Sequence, residues 1–270
     1  MDILDAIILG VVEGITEFLP VSSTGHLIVA QRMLGIPASE ATNSYNIVIQ
    51  IGAILAILRL YGSRITEVIQ GLKGHNPEGK RLLQCLIVAF IPAAIAGLTL
   101  DDLIEEKLMG SAIPTVIAWI VGGFVILWWA RTHGKKQGGR TLEALHWRAA
   151  LGIGLIQCLA MWPGTSRSFM TIMGGVAVGL SLPAAVEFSF LLGVITLGAA
   201  SGYSGLKHFQ SLDDLGLGVV AVGILASFVS AYVAVKWMVD WINRRGLAVF
   251  GYWRIGAGIL VGYLIFIGWM

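Results

Sequence analysis

Glu13 and Glu17 stand four residues apart in an apolar stretch, so a helix there puts both carboxylates on one face. Like charges so placed repel, and burying them is costly unless a cation lies between them. A basic side chain or a divalent metal would balance the pair. Mg²⁺ and Ca²⁺ take oxygen ligands and typically bridge carboxylate to phosphate. The plain alternative is a pair of carboxylates facing a wet vestibule. Just downstream, Pro20-Val-Ser22-Ser23-Thr24-Gly25-His26 is a hydroxyl-rich turn. Proline ends one helical arm and Ser or Thr caps the next, where free N–H groups and a partial positive charge make an anion site. His26, within a turn of Ser22 and Ser23, has the make-up of a nucleophile–base pair; capping alone would account for one hydroxyl. Far along the chain, Thr165-Ser166-Arg167-Ser168 supplies an arginine whose planar fork suits a phosphate clamp. Its other use is to neutralise Glu13 or Glu17. Gln50 and Glu187 read either as ligands behind this set or as packing hydrogen bonds. Arg254 reads as a snorkelling or paired structural residue rather than a catalytic one.

What must position these groups is a membrane protein. Charged residues are 13% of the 270, and AVILMFWYC make up 56%. With a mean hydropathy of +0.81, too little polar surface remains to cover a globule in water. Six segments are long enough to span, roughly 45–61, 82–100, 111–130, 184–204, 215–236 and 247–269. Two other apolar regions, 3–36 and 149–182, break at polar centres, Phe18–Gly25 and Trp162–Ser168. Their arms, about 14–19 residues, fall at or below the length of a span, so two re-entrant helix pairs are expected, buried against other helices or a wet cavity. A net charge of +2 with no basic groove argues against a nucleic-acid partner. Cys85 and Cys158 lie in apolar runs as buried small residues. No cleavable signal peptide is expected, because Asp2 and Asp5 occupy the place of a basic n-region.

The two broken regions resemble each other. Gly10-Val-Val-Glu13 precedes Pro20-Val-Ser-Ser23, and Gly154-Leu-Ile-Gln157 precedes Pro163-Gly-Thr-Ser166 one residue sooner. Three spans follow each. A re-entrant pair returns to its own side and three spans then cross, so the second copy starts on the opposite side. The parity predicts an all-α, inverted-topology repeat with its site near the midplane. It forms one integral membrane domain, 1–270, of repeats at about 1–130 and 149–270. Basic residues cluster in 62–81, 131–148 and 237–246, among them Arg64, Arg81, Lys135, Lys136, Arg140 and Arg244; the other connections are acidic or nearly neutral, as at Asp101, Asp102, Glu105, Glu106, Asp213 and Asp214. The positive-inside rule makes 131–148 a cytoplasmic linker and leaves both termini outside.

Glu13-Gly-Ile-Thr-Glu17-Phe-Leu-Pro-Val-Ser-Ser-Thr-Gly-His26 with Pro163-Gly-Thr-Ser-Arg-Ser168 resembles the bacterial undecaprenyl-diphosphate phosphatase (bacitracin-resistance) family. Val48-Ile-Gln-Ile-Gly52 and Glu187-Phe-Ser-Phe-Leu-Leu192 extend the resemblance over essentially the whole chain. It implies a plasma-membrane enzyme that removes the terminal phosphate of undecaprenyl diphosphate. That activity recycles the lipid carrier for cell-wall synthesis and confers bacitracin resistance. The family fold is an inverted repeat whose site opens to the outer face. Polyprenyl diphosphate and membrane lipid are the implied partners, and a homodimer is allowed. The resemblance carries catalytic roles to Glu13, Glu17, Ser23, His26 and Arg167. Ser22, Thr24, Gly25, Ser166, Ser168 and Thr171 are expected around the phosphates, with Mg²⁺ or Ca²⁺ on Glu13 and Glu17. Two positions depart from the family pattern. Phe169 replaces the glycine of Ser-Arg-Ser-Gly, where a ring would reshape or partly close the site, and Ile195 stands where the family has proline.

The resemblance implies phosphoryl transfer by electrostatic positioning. Ser23 would attack the terminal phosphorus, assisted by His26 or a glutamate; His26 as nucleophile and direct attack by water are the variants. A secondary transporter or lipid translocase fits the broken helices equally well, but it has no use for a nucleophile and base. A lipid phosphatase with a histidine nucleophile would need, after the Ser-Arg motif, a second histidine followed four residues later by aspartate, which the chain lacks.

Overall fold

The structure, a computed structural model, describes residues 1–108, 112–133 and 138–269, without the side chains of 100–108, 133 and 213–214. The charges at Asp101, Asp102, Glu105, Glu106, Lys135, Lys136, Asp213 and Asp214 thus lie outside the described residues. Thirteen α-helices appear among the described residues: α1 (Ile3–Thr16), α2 (Ser23–Met33), α3 (Glu40–Val48), α4 (Gln50–Leu60), α5 (Gly62–Leu72), α6 (Pro77–Leu108), α7 (Ile113–His133), α8 (Trp147–Gln157), α9 (Arg167–Ala177), α10 (Leu182–Lys207), α11 (Phe209–Leu215), α12 (Leu217–Arg245) and α13 (Ala248–Phe266).

Local chemistry sets several starts. Asp2 caps α1 in a reciprocal box with Asp5, which accounts for the acids at the chain start. Ser39 with Thr42 does the same for α3, and Ser181 caps α10 ahead of Pro183. Six stretches are long and apolar enough to cross a membrane: Glu40–Leu60, Pro77–Thr99, Ile113–Thr132, Leu182–Lys207, Leu217–Arg245 and Ala248–Phe266. The chain is a polytopic all-α membrane protein. The first stretch is α3 and α4 in series, jointed at Ile49. The last helical turns of α12 run through 237–245, which hydropathy alone reads as a loop, because polar helix ends carry no apolar signal.

The broken regions are helical on both sides of their breaks, with arms of 14 and 11 residues in the first and 11 and 11 in the second. A 3₁₀ turn, Cys158–Met161, extends α8. All but the first arm are shorter than the length read from hydropathy. Within each pair the helices pack together, α1 on α2 and α8 on α9. Ser22 and Ser166 are the non-glycine residues with positive φ among the described residues, at 73° and 76°, and each immediately precedes the second arm of its pair.

Packing crosses between the halves of the chain. α1 lies on α12, α8 on α6, α4 on both α12 and α10, and α7 on α13. Glycine permits the closest approaches: a Cβ on Gly10 would strike the Gly223 carbonyl of α12, and one on Gly154 the Ala89 carbonyl of α6. At one end of the bundle Arg64 of α5 binds Glu67, Glu143 and Glu187 at 2.9, 2.7 and 2.6 Å. Its pKa is raised, first by the bond to Glu67 and then by those to Glu143 and Glu187. The linker is tied down where Arg140 N–H donates to Gly179 O and Ser181 N–H to Arg140 O, both at 2.9 Å. Cys85 is buried and Cys158 half-buried, and both are free thiols.

Candidate active site

The end of α1 and the start of α9, 150 residues apart in the chain, meet in one buried chain of polar contacts. Glu13 occupies the last turn of α1 and Glu17 is its C-cap. The chain then turns through Pro20 and Val21 and reverses at Ser22, so α2 starts at Ser23 facing back toward α1. Ser23 Oγ donates to Glu17 Oε2 at 2.5 Å. The other oxygen, Oε1, accepts from Arg167 Nη2 at 3.1 Å. Arg167 Nη1 donates to the Ser189 carbonyl of α10 at 3.0 Å, its guanidinium sits 5.1 Å from the Phe18 ring centre, and its Nε–H has no partner. A hydroxyl, a carboxylate and a guanidinium are thus aligned with one N–H to spare.

Glu13 is fully buried, and neither carboxylate oxygen has a hydrogen-bond partner. A buried carboxylate left bare is costly, and it is satisfied by a proton or a cation. Among the described residues no group of three His, Cys, Asp or Glu side chains is gathered to hold a metal. Two carboxylates are, however, the donor set that hard cations take when phosphate oxygens complete the shell, so Glu13 and Glu17 fit Mg²⁺ or Ca²⁺.

The second break is fastened to the first. Ser168 Oγ donates to the Leu19 carbonyl at 2.9 Å and accepts from Ser166 Oγ at 2.9 Å, and Ser166 Oγ also caps the Phe169 N–H. Thr171 spends its proton on the carbonyl of Arg167 or Ser168, leaving its oxygen to accept from Ser189 Oγ at 2.6 Å. Arg254 is wholly buried, does not snorkel, and pairs with no carboxylate among the described residues. It donates to the carbonyls of Pro20, Gly164 and Thr165 at the two breaks, and to those of Ala118 and Trp119 on α7. One side chain therefore clamps both breaks to α7.

Other expected members are placed elsewhere. His26 does not bind Ser23: its Nδ1–H donates to the Ser22 carbonyl at 2.7 Å and its Nε2 accepts from the Trp253 indole at 2.9 Å. An indole N–H can only donate, so this arrangement fixes the neutral Nδ1–H tautomer. The serine's partner is Glu17 instead. Thr24 points out to the surface, Gly25 is buried, and Gln50 opens α4 half-buried. Glu187 is drawn to Arg64 and binds none of the site residues named above. The Phe169 ring is buried in the core with its centre 5.0 Å from the Arg254 guanidinium. Ile195 packs with the core around Cys85 and Leu191. Ser189 escaped the sequence reading, although a lone serine amid Phe188, Phe190, Leu191 and Leu192 was a signal that could have found it.

Fold and site together define a polytopic membrane protein with a hydroxyl–carboxylate–guanidinium chain buried where two broken helices meet. The family model described as bacitracin resistance protein BacA matches residues 6–260. The chain is similar to "Undecaprenyl-diphosphatase 1" of Chromobacterium violaceum, 47% identical over 257 residues, covering 95% of this chain and 94% of the relative. It is 46% identical over 259 residues to "Undecaprenyl-diphosphatase 2" of Rhodospirillum rubrum (96% and 93% covered), and 43% identical over 264 residues to the undecaprenyl-diphosphatase of Sorangium cellulosum (96% and 85% covered). The chain belongs to the BacA family.

Proposed function

We propose that this protein hydrolyses undecaprenyl diphosphate to undecaprenyl phosphate and phosphate, the reaction for which its relatives are named. It is a membrane phosphatase of lipid-carrier recycling, and its activity confers bacitracin resistance. The observation that carries the mechanism is the alignment of Ser23, Glu17 and Arg167. Glu17 takes the proton as Ser23 Oγ attacks the terminal phosphorus. The P–O bond to the lipid phosphate breaks, and the lipid monophosphate leaves with the electron pair. Arg167, through its spare Nε–H, holds the phosphoryl oxygens while charge builds on them. The proton on Glu17 passes to the departing lipid phosphate. Water then attacks the phosphoserine while Glu17, again a carboxylate, takes its proton, and that proton goes to Ser23 Oγ as the P–Oγ bond breaks and phosphate leaves. Glu13 and Glu17 would hold Mg²⁺ or Ca²⁺, which supplies charge neutralisation to the diphosphate when bound.

Broken helices with polar ends need shelter from lipid, and we read α1–α2 and α8–α9 as two re-entrant pairs of an inverted repeat, at about 1–130 and 149–270. Three features support this. Ser22 and Ser166 share a rare backbone conformation at matching positions. Gly10 precedes Ser22 by the same number of residues as Gly154 precedes Ser166, and each glycine meets a long helix of the opposite half. The cross-packing of α1 on α12 and α8 on α6 exchanges under the same pairing. With the basic connections inside, both termini and the site would face outward.

The test is phosphate release from undecaprenyl diphosphate by the purified protein in detergent, with and without Mg²⁺. Wild type should release phosphate, and Ser23→Ala and Arg167→Ala should not. Absence of release from wild type, with anion or lipid flux in liposomes instead, would overturn the reading.

A further inference from the structure

α7 brings two unpartnered donors to the start of α2. Trp119 and Thr115 lie one turn apart and are 1% and 3% exposed, and neither Trp119 Nε1 nor Thr115 Oγ1 has a hydrogen-bond partner. Burying an indole N–H and a hydroxyl unpaired is unfavourable, and an indole can be satisfied only by an acceptor. Both side chains converge on Gly25 in the first turn of α2. A Cβ there would lie 2.7 Å from Trp119 Cε2, the ring carbon that carries Nε1, and 2.8 Å from Thr115 Cγ2. A Cβ on Gly164 at the other break would likewise meet Thr115, 2.7 Å from its Cα. The 11-residue α2 begins without a side-chain cap, since Ser22 makes no capping bond, whereas Ser166 caps α9. An open helix N-terminus beside two idle donors, two residues from Ser23, suits phosphoryl oxygens.

We propose that Trp119 Nε1–H and Thr115 Oγ1–H bind an oxygen of the substrate's diphosphate at the start of α2, on the α7 side of the site. Glycine at position 25 lets α2 pack directly against the Trp119 ring and the Thr115 methyl, which brings both side chains to its first turn. This rests on the phosphatase reading and adds α7 to the substrate-binding surface.

The experiment compares wild type with Trp119→Phe, which keeps a ring and loses the N–H, and Thr115→Val, which keeps the shape and loses the hydroxyl. Trp241→Phe is the control, because its Nε1 is also buried without a partner but sits near the end of α12 beside Arg245. The readouts are KM for undecaprenyl diphosphate and the inhibition constants of inorganic phosphate and undecaprenyl phosphate. Each donor lost should raise KM and at least one inhibition constant about ten-fold, as loss of a hydrogen bond to a charged group does. The inhibitor affected tells whether the bound oxygen belongs to the departing inorganic phosphate or to the lipid phosphate. The unfolding temperature in detergent without ligand should stay within a few degrees of wild type. As a readout free of turnover, pyrophosphate should raise the wild-type unfolding temperature, and less so that of the variants. Unchanged constants in both variants, or an equal shift in Trp241→Phe, would overturn the proposal while leaving the phosphatase reading intact. A wild type that releases no phosphate would instead overturn that reading.

Discussion

Ser23 Oγ donates to Glu17 Oε2 across 2.5 Å, and the same carboxylate takes Arg167 on its other oxygen. The serine proton therefore already points at its acceptor, while the guanidinium holds that acceptor in place. Glu17→Gln preserves the shape and removes the basicity. It should lower kcat by about 10²–10⁴, the usual contribution of a general base. Steady-state kinetics with the lipid substrate check this. A Glu17→Gln variant with wild-type kcat would remove Glu17 from the role.

Arg254 satisfies backbone carbonyls from both breaks and from α7, and among the described residues no carboxylate pairs with it. Arg254→Met fills much of the same volume but leaves those carbonyls bare. The expected loss is about 3 kcal/mol or more, from unsatisfied buried acceptors, with both breaks loosened at once. The unfolding temperature in detergent should fall clearly below that of wild type, and activity should fall with it. Arg254→Lys, with one donor group in place of the fork, should recover only part. Unchanged unfolding in Arg254→Met would mean that the clamp is not what holds the breaks together.

Phe169 occupies a glycine position of the family motif, yet its ring belongs to the core under Arg254. Phe169→Gly should therefore not open the site. It would leave a cavity and add a glycine to the first turn of α9, lowering stability by about 3 kcal/mol or more. Thermal unfolding and phosphate release decide between the alternatives. Higher activity at undiminished stability would show that the ring obstructs the site after all.

The apolar runs, the two interruptions and the opposite charges of Glu17 and Arg167 were legible in the sequence because each is a local signal: hydropathy, proline and glycine, or charge in an apolar setting. What was not legible depends on tertiary partners. Nothing near Arg254 in the chain says that it will donate to backbone carbonyls, since every residue carries one. His26 next to Ser23 read as a catalytic pair because proximity in sequence stood in for direction. The turn of α2 sends the imidazole toward Trp253 and the hydroxyl toward Glu17. Glu187 shares its stretch with Ser189, but the two side chains bind different groups, one Arg64 and the other Thr171.

Glu143, on the linker, is held below the usual carboxylate range, first by its own backbone N–H and then by Arg64. A folded-state pKa depressed in this way contributes stability that is fully present above the unfolded value, near 4.5, and is lost as pH falls through the lower folded value. The unfolding temperature should therefore drop as the pH is lowered below about 4.5. Glu143→Gln should start lower at neutral pH and show a shallower drop. The contact is partly exposed, so added salt should also weaken it. An identical pH profile for Glu143→Gln and wild type would exclude the linker contact as a source of stability.

Ser22 and Ser166 hold φ at 73° and 76°, a region that side chains with a Cβ avoid. The strain is comparable in the two, but the compensation differs: Ser166 Oγ caps Phe169 N–H and binds Ser168, whereas Ser22 makes no capping bond. Glycine should thus relieve strain at both positions and forfeit a cap at only one. Ser22→Gly should stabilise the protein by about 1 kcal/mol, and Ser166→Gly should come out near neutral as the lost cap offsets the relief. Valine, whose branched Cβ is excluded from this region, should destabilise both by more than 1 kcal/mol, with Ser166 the worse because its cap goes as well. Denaturation of the four variants in one detergent checks the ordering. Equal responses of Ser22 and Ser166 to glycine would mean that the Ser166 hydroxyl contributes nothing to holding the second break.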